Sequence, residues 1–422
     1  MHSKKIFSSV LLATVFMLLC LAAITSQLQA QTYSVFHAFT GAPDGAYPSA
    51  IIRDAEGNLY GTTYAGGLTA CSGHSGACGT VFKIDPEGNE TVVFAFPGGA
   101  AGSNPIATVA RDAAGNLYGT TEGDGFLGLS VIYKIDPSGQ ETVLVPNAQI
   151  GGSLDSPLLV DGKGNLDGMT PYGGDYNCAS GFGCGMLFRI TQTGTFTMLH
   201  AFSGSDGIRP EGGLIQDSKG NLYGVAFYGG NSKCATTGFQ YPEDPGNYQA
   251  GCGTIYKLDI DGKFSILHTF TGPDDGGGPL GLIIDSENNI YGIAQNGGDD
   301  PPNLYGLGTI FKVDTTTAAY SVLYTFTPPT SNSTGYASHL VRDSEGNLYG
   351  AKQYDGAHNT GYLFRVDTKG NYTDLYDFAE QTQGSPDGFF PVGLVSGSAH
   401  DVYGSMFMGD TEVLGTIFHI TP

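Results

Sequence analysis

The chain has 422 residues with 66 Gly, 21 Pro, 24 Tyr, 24 Phe and no Trp, and its 18 basic residues face 40 acidic ones, a formal charge of −22. A surface of that sign repels nucleic acid and anionic membranes, which excludes both as partners and leaves solubility as its main service. So much glycine, with no sustained 3.6-residue apolar period, points to an all-β chain nearly free of helix.

Residues 1–30 read as a signal peptide. Lys4 and Lys5 precede an apolar run from Ile6 to Ile24, and Leu28-Gln29-Ala30 approximates a small-residue cleavage site before Gln31. An uncleaved anchor is the competing reading, because the run is nearly long enough to span a bilayer. Cys20 follows Leu19, which is too large for lipid attachment. Cleavage removes two of the 18 basic residues and none of the 40 acidic ones, taking the charge from −22 to −24. The mature chain is read as secreted, or as periplasmic or cell-surface, with no membrane span and as a monomer.

Beyond the leader one motif recurs seven times, as Leu59-Tyr60-Gly61, Leu117-Tyr118-Gly119, Leu166-Asp167-Gly168, Leu222-Tyr223-Gly224, Ile290-Tyr291-Gly292, Leu348-Tyr349-Gly350 and Val402-Tyr403-Gly404. The step is roughly 57 residues, in the range of propellers, solenoids and arrays. Each copy predicts four short strands. An apolar strand ends in Asp, a turn such as Lys219-Gly220-Asn221 follows, and the second strand starts at the motif. A long loop leads to a third strand of the type Gly79 to Asp85 (GTVFKID), then a tight turn and a fourth strand such as Phe264 to Phe270 (FSILHTF). The seven glycines of the motif are read as permitting close approach of backbones between blades. The aromatic at one third-strand position, Phe82, Tyr133, Phe188, Tyr256, Phe311, Phe364 and Phe418, is read as core packing and not as a ligand platform.

Six fourth strands follow their own third strand, but the last repeat stops at Pro422, while Tyr33 to Phe39 (YSVFHAF) stands alone before the first repeat. A ring closed by that N-terminal strand accounts for both facts and removes open sheet edges. The expected fold is therefore an all-β, seven-bladed β-propeller occupying residues 31–422 as one domain. Its blade cores fall at about 48–96, 106–147, 156–202, 212–270, 280–326, 338–378 and 392–421 plus 33–39.

Six mature cysteines fall as local pairs, Cys71 with Cys78, Cys178 with Cys184 and Cys234 with Cys252, each between the second and third strands of one blade. In an exported chain they read as disulfides. Zinc is the alternative, against which the knuckle spacing and His partners are lacking. Propeller topology puts these loops on the same side of the disc as the connections between blades. The opposite side carries only tight turns, so the long, stapled loops mark the binding face. Four of the inter-blade connections share Asp-Gly followed by Pro: Asp44 with Pro48, Asp206 with Pro210, Asp275 with Pro279, Asp387 with Pro391. Asp44, Asp206, Asp275 and Asp387 are the candidate ligand-binding residues, a partial ring of carboxylates able to hold a polar ligand or a cation such as calcium. Repeated turn chemistry is the plainer reading. The same choice applies to Asp54, Asp112, Asp161, Asp217, Asp285 and Asp343 at the ends of the first strands, where turn capping is preferred and the ligand ladder of a calcium loop is missing.

No catalytic residue and no cofactor is assigned. His37, His200 and His268 share one fourth-strand position and look structural, and no nucleophile elbow, zinc-helix pair or phosphate loop is present. The innermost strands read as almost wholly apolar before their terminal Asp. The pattern LIxDxxGNLYGTTxxGG…GTVFKIDPxGxExVLHxF, nearly intact from Ile51 through Phe96, closely resembles the GloVer (Gloeobacter and Verrucomicrobia) tandem repeats of exported bacterial proteins. The resemblance implies export and a propeller-like array, and it carries no catalytic residues. Two functions from different classes follow: a non-catalytic propeller binding a polysaccharide or an envelope protein on its long-loop face, or a hydrolase or lyase acting on extracellular sugars or lactones at the channel mouth, with or without a metal.

Overall fold

The computed structural model describes residues 32–421, apart from positions 70, 72–77, 123–129, 147–153, 179–180, 231–250, 273, 298–306, 327–339, 354–355, 380–387, 399 and 410–413. The leader, Cys234 and Asp387 lie outside the described residues. Seven four-stranded antiparallel sheets form the blades of a β-propeller. The closing sheet joins Thr32–Ala38 to Phe389–Ser396, Val402–Met408 and Thr416–Thr421, with Tyr33 opposite Ile420 and Ala38 opposite Thr416. That pairing is the one the unmatched N-terminal strand predicts. Among the described residues no helix is long and apolar enough to cross a membrane.

Each blade is pinned by the residues that repeat. In blade 1, Asp54 accepts hydrogen bonds from the Asn58 backbone N–H (2.8 Å) and side-chain amide (2.9 Å), and from the Tyr60 hydroxyl (3.1 Å). The same arrangement recurs at Asp112, Asp217, Asp285 and Asp343, each with its own Asn and Tyr. These aspartates cap hairpins, as the turn reading holds. Burial pushes their carboxyls up, but the Asn and Tyr donors outweigh it and hold them below the usual range.

The glycine of the recurring motif has a different role from the one its position suggested. A Cβ on Gly61 would lie 2.6 Å from the Phe82 ring, its cross-strand partner, and Gly119, Gly168, Gly224, Gly292, Gly350 and Gly404 likewise leave room for the third-strand aromatic of their own blade. The close approach is thus of a ring to a strand within one blade. The ring in turn meets, edge-on, the phenylalanine closing the previous blade's outer strand: Phe39 on Phe82 (5.1 Å), Phe96 on Tyr133 (5.1 Å), Phe202 on Tyr256 (5.2 Å), Phe326 on Phe364 (5.2 Å). Phe82, Tyr133, Phe188, Tyr256, Phe311, Phe364 and Phe418 are all fully buried, so the repeated aromatic is core.

A candidate binding rim at the channel mouth

The connection from each outer strand to the next innermost strand delivers the candidate residues. Asp206 accepts from the Ser203 N–H (2.8 Å) and lies 2.9 Å from His200 Nε2; Asp275 accepts from the Thr271 N–H (2.9 Å) and lies 3.0 Å from His268 Nε2. Asp44 accepts from the Thr40 N–H at 3.1 Å, with His37 Nε2 3.7 Å away. The backbone carbonyls of Asp44, Asp206 and Asp275 accept from the hydroxyls of Thr80, Thr254 and Thr309, which fastens each loop to the third strand of the following blade. Burial raises the Asp206 and Asp275 carboxyls, and the histidine and backbone donors more than reverse it. Each carboxylate is engaged within its own connection. Among the described residues no three His, Cys, Asp or Glu side chains are placed to hold a metal ion.

What these connections offer to a ligand is the residue just before the proline. Tyr47, Asn104, Arg209 and Phe390 precede Pro48, Pro105, Pro210 and Pro391, and their φ angles are 59°, 57°, 60° and 63°. Blade 5 has Gly278 at the same place, with φ 59°. The proline explains the geometry: its ring is wedged against the glycine that opens the previous blade's third strand, as Pro105 against Gly79 and Pro279 against Gly253. The residue before it then turns its N–H back to that blade, where Tyr47, Asn104, Arg209 and Gly278 donate to the carbonyls of Leu414, Cys78, Cys184 and Cys252 at 2.7, 2.8, 2.9 and 2.8 Å. Positive φ in a residue with a side chain costs about 1–2 kcal/mol. Four of these five positions keep a side chain regardless.

Two of those side chains, Tyr47 and Asn104, meet the end of the previous blade's second strand. Tyr47 stacks on Phe407 with ring centroids 5.3 Å apart, Asn104 Nδ2 donates to the Tyr64 carbonyl (3.0 Å), and Gly278 leaves the space that Phe227 approaches. Phe390 packs edge-on against Phe389 at 5.0 Å. Tyr47, Tyr64, Phe227, Phe390 and Phe407 are all half-buried. Arg209 pairs with Glu211 on the same innermost strand, Ile208–Gln216, and Asp155 stands nearby, open to solvent although walled by protein. Burial pushes both carboxyls up while Arg209 pulls them back. The innermost strands of blades 1, 4, 5 and 7 are therefore longer than their sequences suggest. The blade 4 strand begins at Ile208 instead of about 212 and includes the charged pair Arg209 and Glu211.

A family model of the Gloeobacter/Verrucomicrobia repeat matches residues 22–239 and 238–422, spanning nearly the whole chain. The chain belongs to that family. No curated protein matches this Gloeobacter/Verrucomicrobia repeat protein in sequence. Among solved structures it is similar to a catalytically inactive virginiamycin B lyase variant from Staphylococcus aureus crystallised with quinupristin, at 14% identity and TM-score 0.58, over 93% of this chain and 100% of that one. It is also similar to the Niastella koreensis GH74 enzyme, at 16% identity and TM-score 0.52, over 88% of this chain and 52% of that one. At these identities the likeness is one of fold.

In this repeat protein the staples serve the rim. Cys71 is bonded to Cys78 and Cys178 to Cys184, as the local pairing predicts, and Cys252 is disulfide-bonded too. Cys78, Cys184 and Cys252 are the residues whose carbonyls receive the N–H groups of Asn104, Arg209 and Gly278, so each bridge steadies the seat of a rim residue on the next blade. The Asp-Gly-x-x-Pro motif that singles out Asp44, Asp206, Asp275 and Asp387 also contains Tyr47, Arg209 and Phe390. Its aspartate secures the connection, and the residue before its proline keeps a partly exposed side chain at positive φ.

Proposed function

We propose that the protein is an exported, non-catalytic binding propeller that holds a polysaccharide across the channel mouth of its long-loop face. The observation that carries this reading is the retention of Tyr47, Asn104, Arg209 and Phe390 at positive φ where Gly278 shows that glycine serves. Unfavourable backbone kept at equivalent sites of a repeat speaks for the side chains it presents. Half-exposed rings such as Tyr47, Phe407 and Phe390, interleaved with Asn, Gln and Arg, suit the apolar faces and hydroxyls of sugar rings. The disulfides and the leader fit delivery to the periplasm or beyond.

Binding of the mature protein to panels of neutral and uronic-acid polysaccharides, followed by calorimetry, tests the proposal. Tyr47→Ala and Phe390→Ala are expected to weaken the captured glycan at least tenfold each, while Glu87→Ala on the tight-turn side leaves it unchanged. Capture of no polysaccharide, or equal affinity in the Tyr47→Ala/Phe390→Ala double variant, refutes it.

A second reading, a hydrolase or lyase of extracellular sugars or lactones, is favoured by one observation: Glu211 and Asp155 both interact with Arg209 and their carboxyls are held above the usual range, which suits a proton donor. Turnover of any captured glycan that disappears in Glu211→Gln would select this reading over simple binding.

A further inference from the structure

The seams between blades repeat a second contact at the outer edge of the disc. A residue at the start of one outer strand, the first in most blades and the second in blade 7, lies face to face on the fifth residue of the preceding blade's outer strand. Phe264 lies on His200 and Tyr320 on His268, both with centroids 3.8 Å apart and planes within 8°; Tyr372 lies on Tyr324 (4.5 Å) and Tyr33 on Tyr376 (4.4 Å). Phe196 holds the position in blade 3. Blades 1 and 2 put Glu90 and Glu141 there instead. Each buries its Oε1 with no hydrogen-bond partner among the described residues, in a seam elsewhere filled by a ring.

The groups facing the two glutamates differ. The repeat places His37, on the outer strand of blade 7, opposite Glu90, and Asp44 in the connection into blade 1 acts on Glu90 as a like charge. On its own blade, Lys83 is turned away over the Tyr60 ring at 5.9 Å. The repeat places Phe94 opposite Glu141. Its own third strand brings the buried, unpartnered hydroxyl of Tyr133, while Lys134 sits over Tyr118. The loss of the ring is visible in the geometry. Where an aromatic covers the histidine, the His–Asp distance is 2.9 or 3.0 Å; where Glu90 replaces it, His37 stands 3.7 Å from Asp44.

We propose that Glu90 and Glu141 make the ring-closing seam between blades 7 and 1, and the adjoining seam between blades 1 and 2, a pH-dependent latch that is firm while both carboxyls carry protons and slackens when they ionise. An ionised carboxylate with a buried oxygen and no donor is poorly tolerated, and at Glu90 it also faces Asp44. Burial, joined at Glu90 by Asp44, pushes both groups up to about 7 from 4.5. The folded state therefore holds more protons than the unfolded chain between those values, and stability contributed here is full below 4.5 and lost as pH rises through 7. His37 opposes this at the acidic end, since burial keeps it below its ordinary 6.5 despite Asp44, so it favours the unfolded chain as pH falls. Glu141 has no such counterweight.

Hydrogen exchange by mass spectrometry on the mature protein from pH 5 to 8.5, corrected for intrinsic rates, tests the latch. Protection of residues 32–38, 90–95 and 141–146 is expected to fall about tenfold between pH 5.5 and 8, while residues 264–269 and 320–325, whose seams carry rings, stay level. Glu90→Gln/Glu141→Gln should flatten the profile, and Glu90→Tyr, which restores a ring over His37, should flatten the closing seam and slow its exchange. A wild-type profile as level at 32–38 as at 264–269, or an unchanged slope in the Gln double variant, overturns the proposal.

Discussion

At Tyr47 the proposed binding role and stability pull apart. The residue sits at φ 59°, half-buried on Phe407, and the repeat supplies its own control in Gly278. Tyr47→Gly relieves the backbone and loses the stacked pair, two terms of about 1 kcal/mol and opposite sign. Its melting temperature should stay within a few degrees of wild type while glycan binding is lost; a large drop in stability would mean that Tyr47 serves packing alone. Asp343 shows the opposite balance. Burial opposes its charge, yet Asn347, Tyr349 and His400, whose Nδ1 lies 2.9 Å away, hold the carboxyl at about 2, and His400 is raised in return chiefly by that hydrogen bond. With the folded value of Asp343 below its unfolded 3.8, its contribution is present above 3.8 and fades as pH falls toward 2; that of His400 is full below 6.5 and fades as pH rises through its raised value. Asp343→Asn should cost about 2 kcal/mol at pH 6 by chemical denaturation and remove the acid-side part of that dependence. The sequence displayed these residues without displaying their roles. Asp-Gly-x-x-Pro is plain as a motif, but a φ angle is not written in residue types, so the motif points to the aspartate instead of the residue before the proline.

Strands tell a related story through one pair of positions. In most blades a second-strand Tyr lies beneath a third-strand Lys, as Tyr60 beneath Lys83 or Tyr223 beneath Lys257 at 5.7 Å. Blade 3 reads as the most divergent repeat because Asp167 replaces the Tyr, yet Arg189 replaces the Lys and binds Asp167 through two N–H groups at 2.7 Å each. Blade 7 solves the same contact with Tyr403 stacked on His419 at 4.4 Å. Asp167 is fully buried, so Arg189→Met should cost about 3–5 kcal/mol by leaving that carboxylate unpaired. Asp167→Tyr with Arg189→Lys should recover most of the loss, and a denaturation cycle in which the double variant is as unstable as Arg189→Met would deny the interchange. Strand order, hairpin turns and third strands were legible because apolar alternation recurs in every copy and an Asp-to-Asn turn in six, blade 7 having Gly397 and Asp401 in its place. The starts of the innermost strands were not. Segments such as Gly277–Ile284 and Ile208–Gln216 open with Gly, Pro and charged residues, and look like loop until cross-strand partners such as Asn296 and Tyr228 are placed beside them.

For the whole disc, seven motifs and one displaced outer strand were enough to give blade number and closure, since both are counting arguments. The uneven distribution of seam chemistry, with carboxyls in blades 1 and 2 and rings elsewhere, needed the packing of one blade on the next. Deleting residues 32–38 removes the partner of Thr416–Thr421 and bares that strand's edge. The shortened protein is expected to lose its single cooperative thermal transition and to associate with itself in light scattering; a monomeric, cooperative product would show that the seam contributes little. The same pairing joins residues 385 positions apart, Ser34 with His419. Thr32–Ala38 thus waits on Thr416–Thr421 for its partner, and the circle cannot close before that distant strand has been made. Six blades can assemble from contiguous stretches of chain while the seventh stays three-stranded until the first strand joins it, so closure should come as one late, slow event of high contact order.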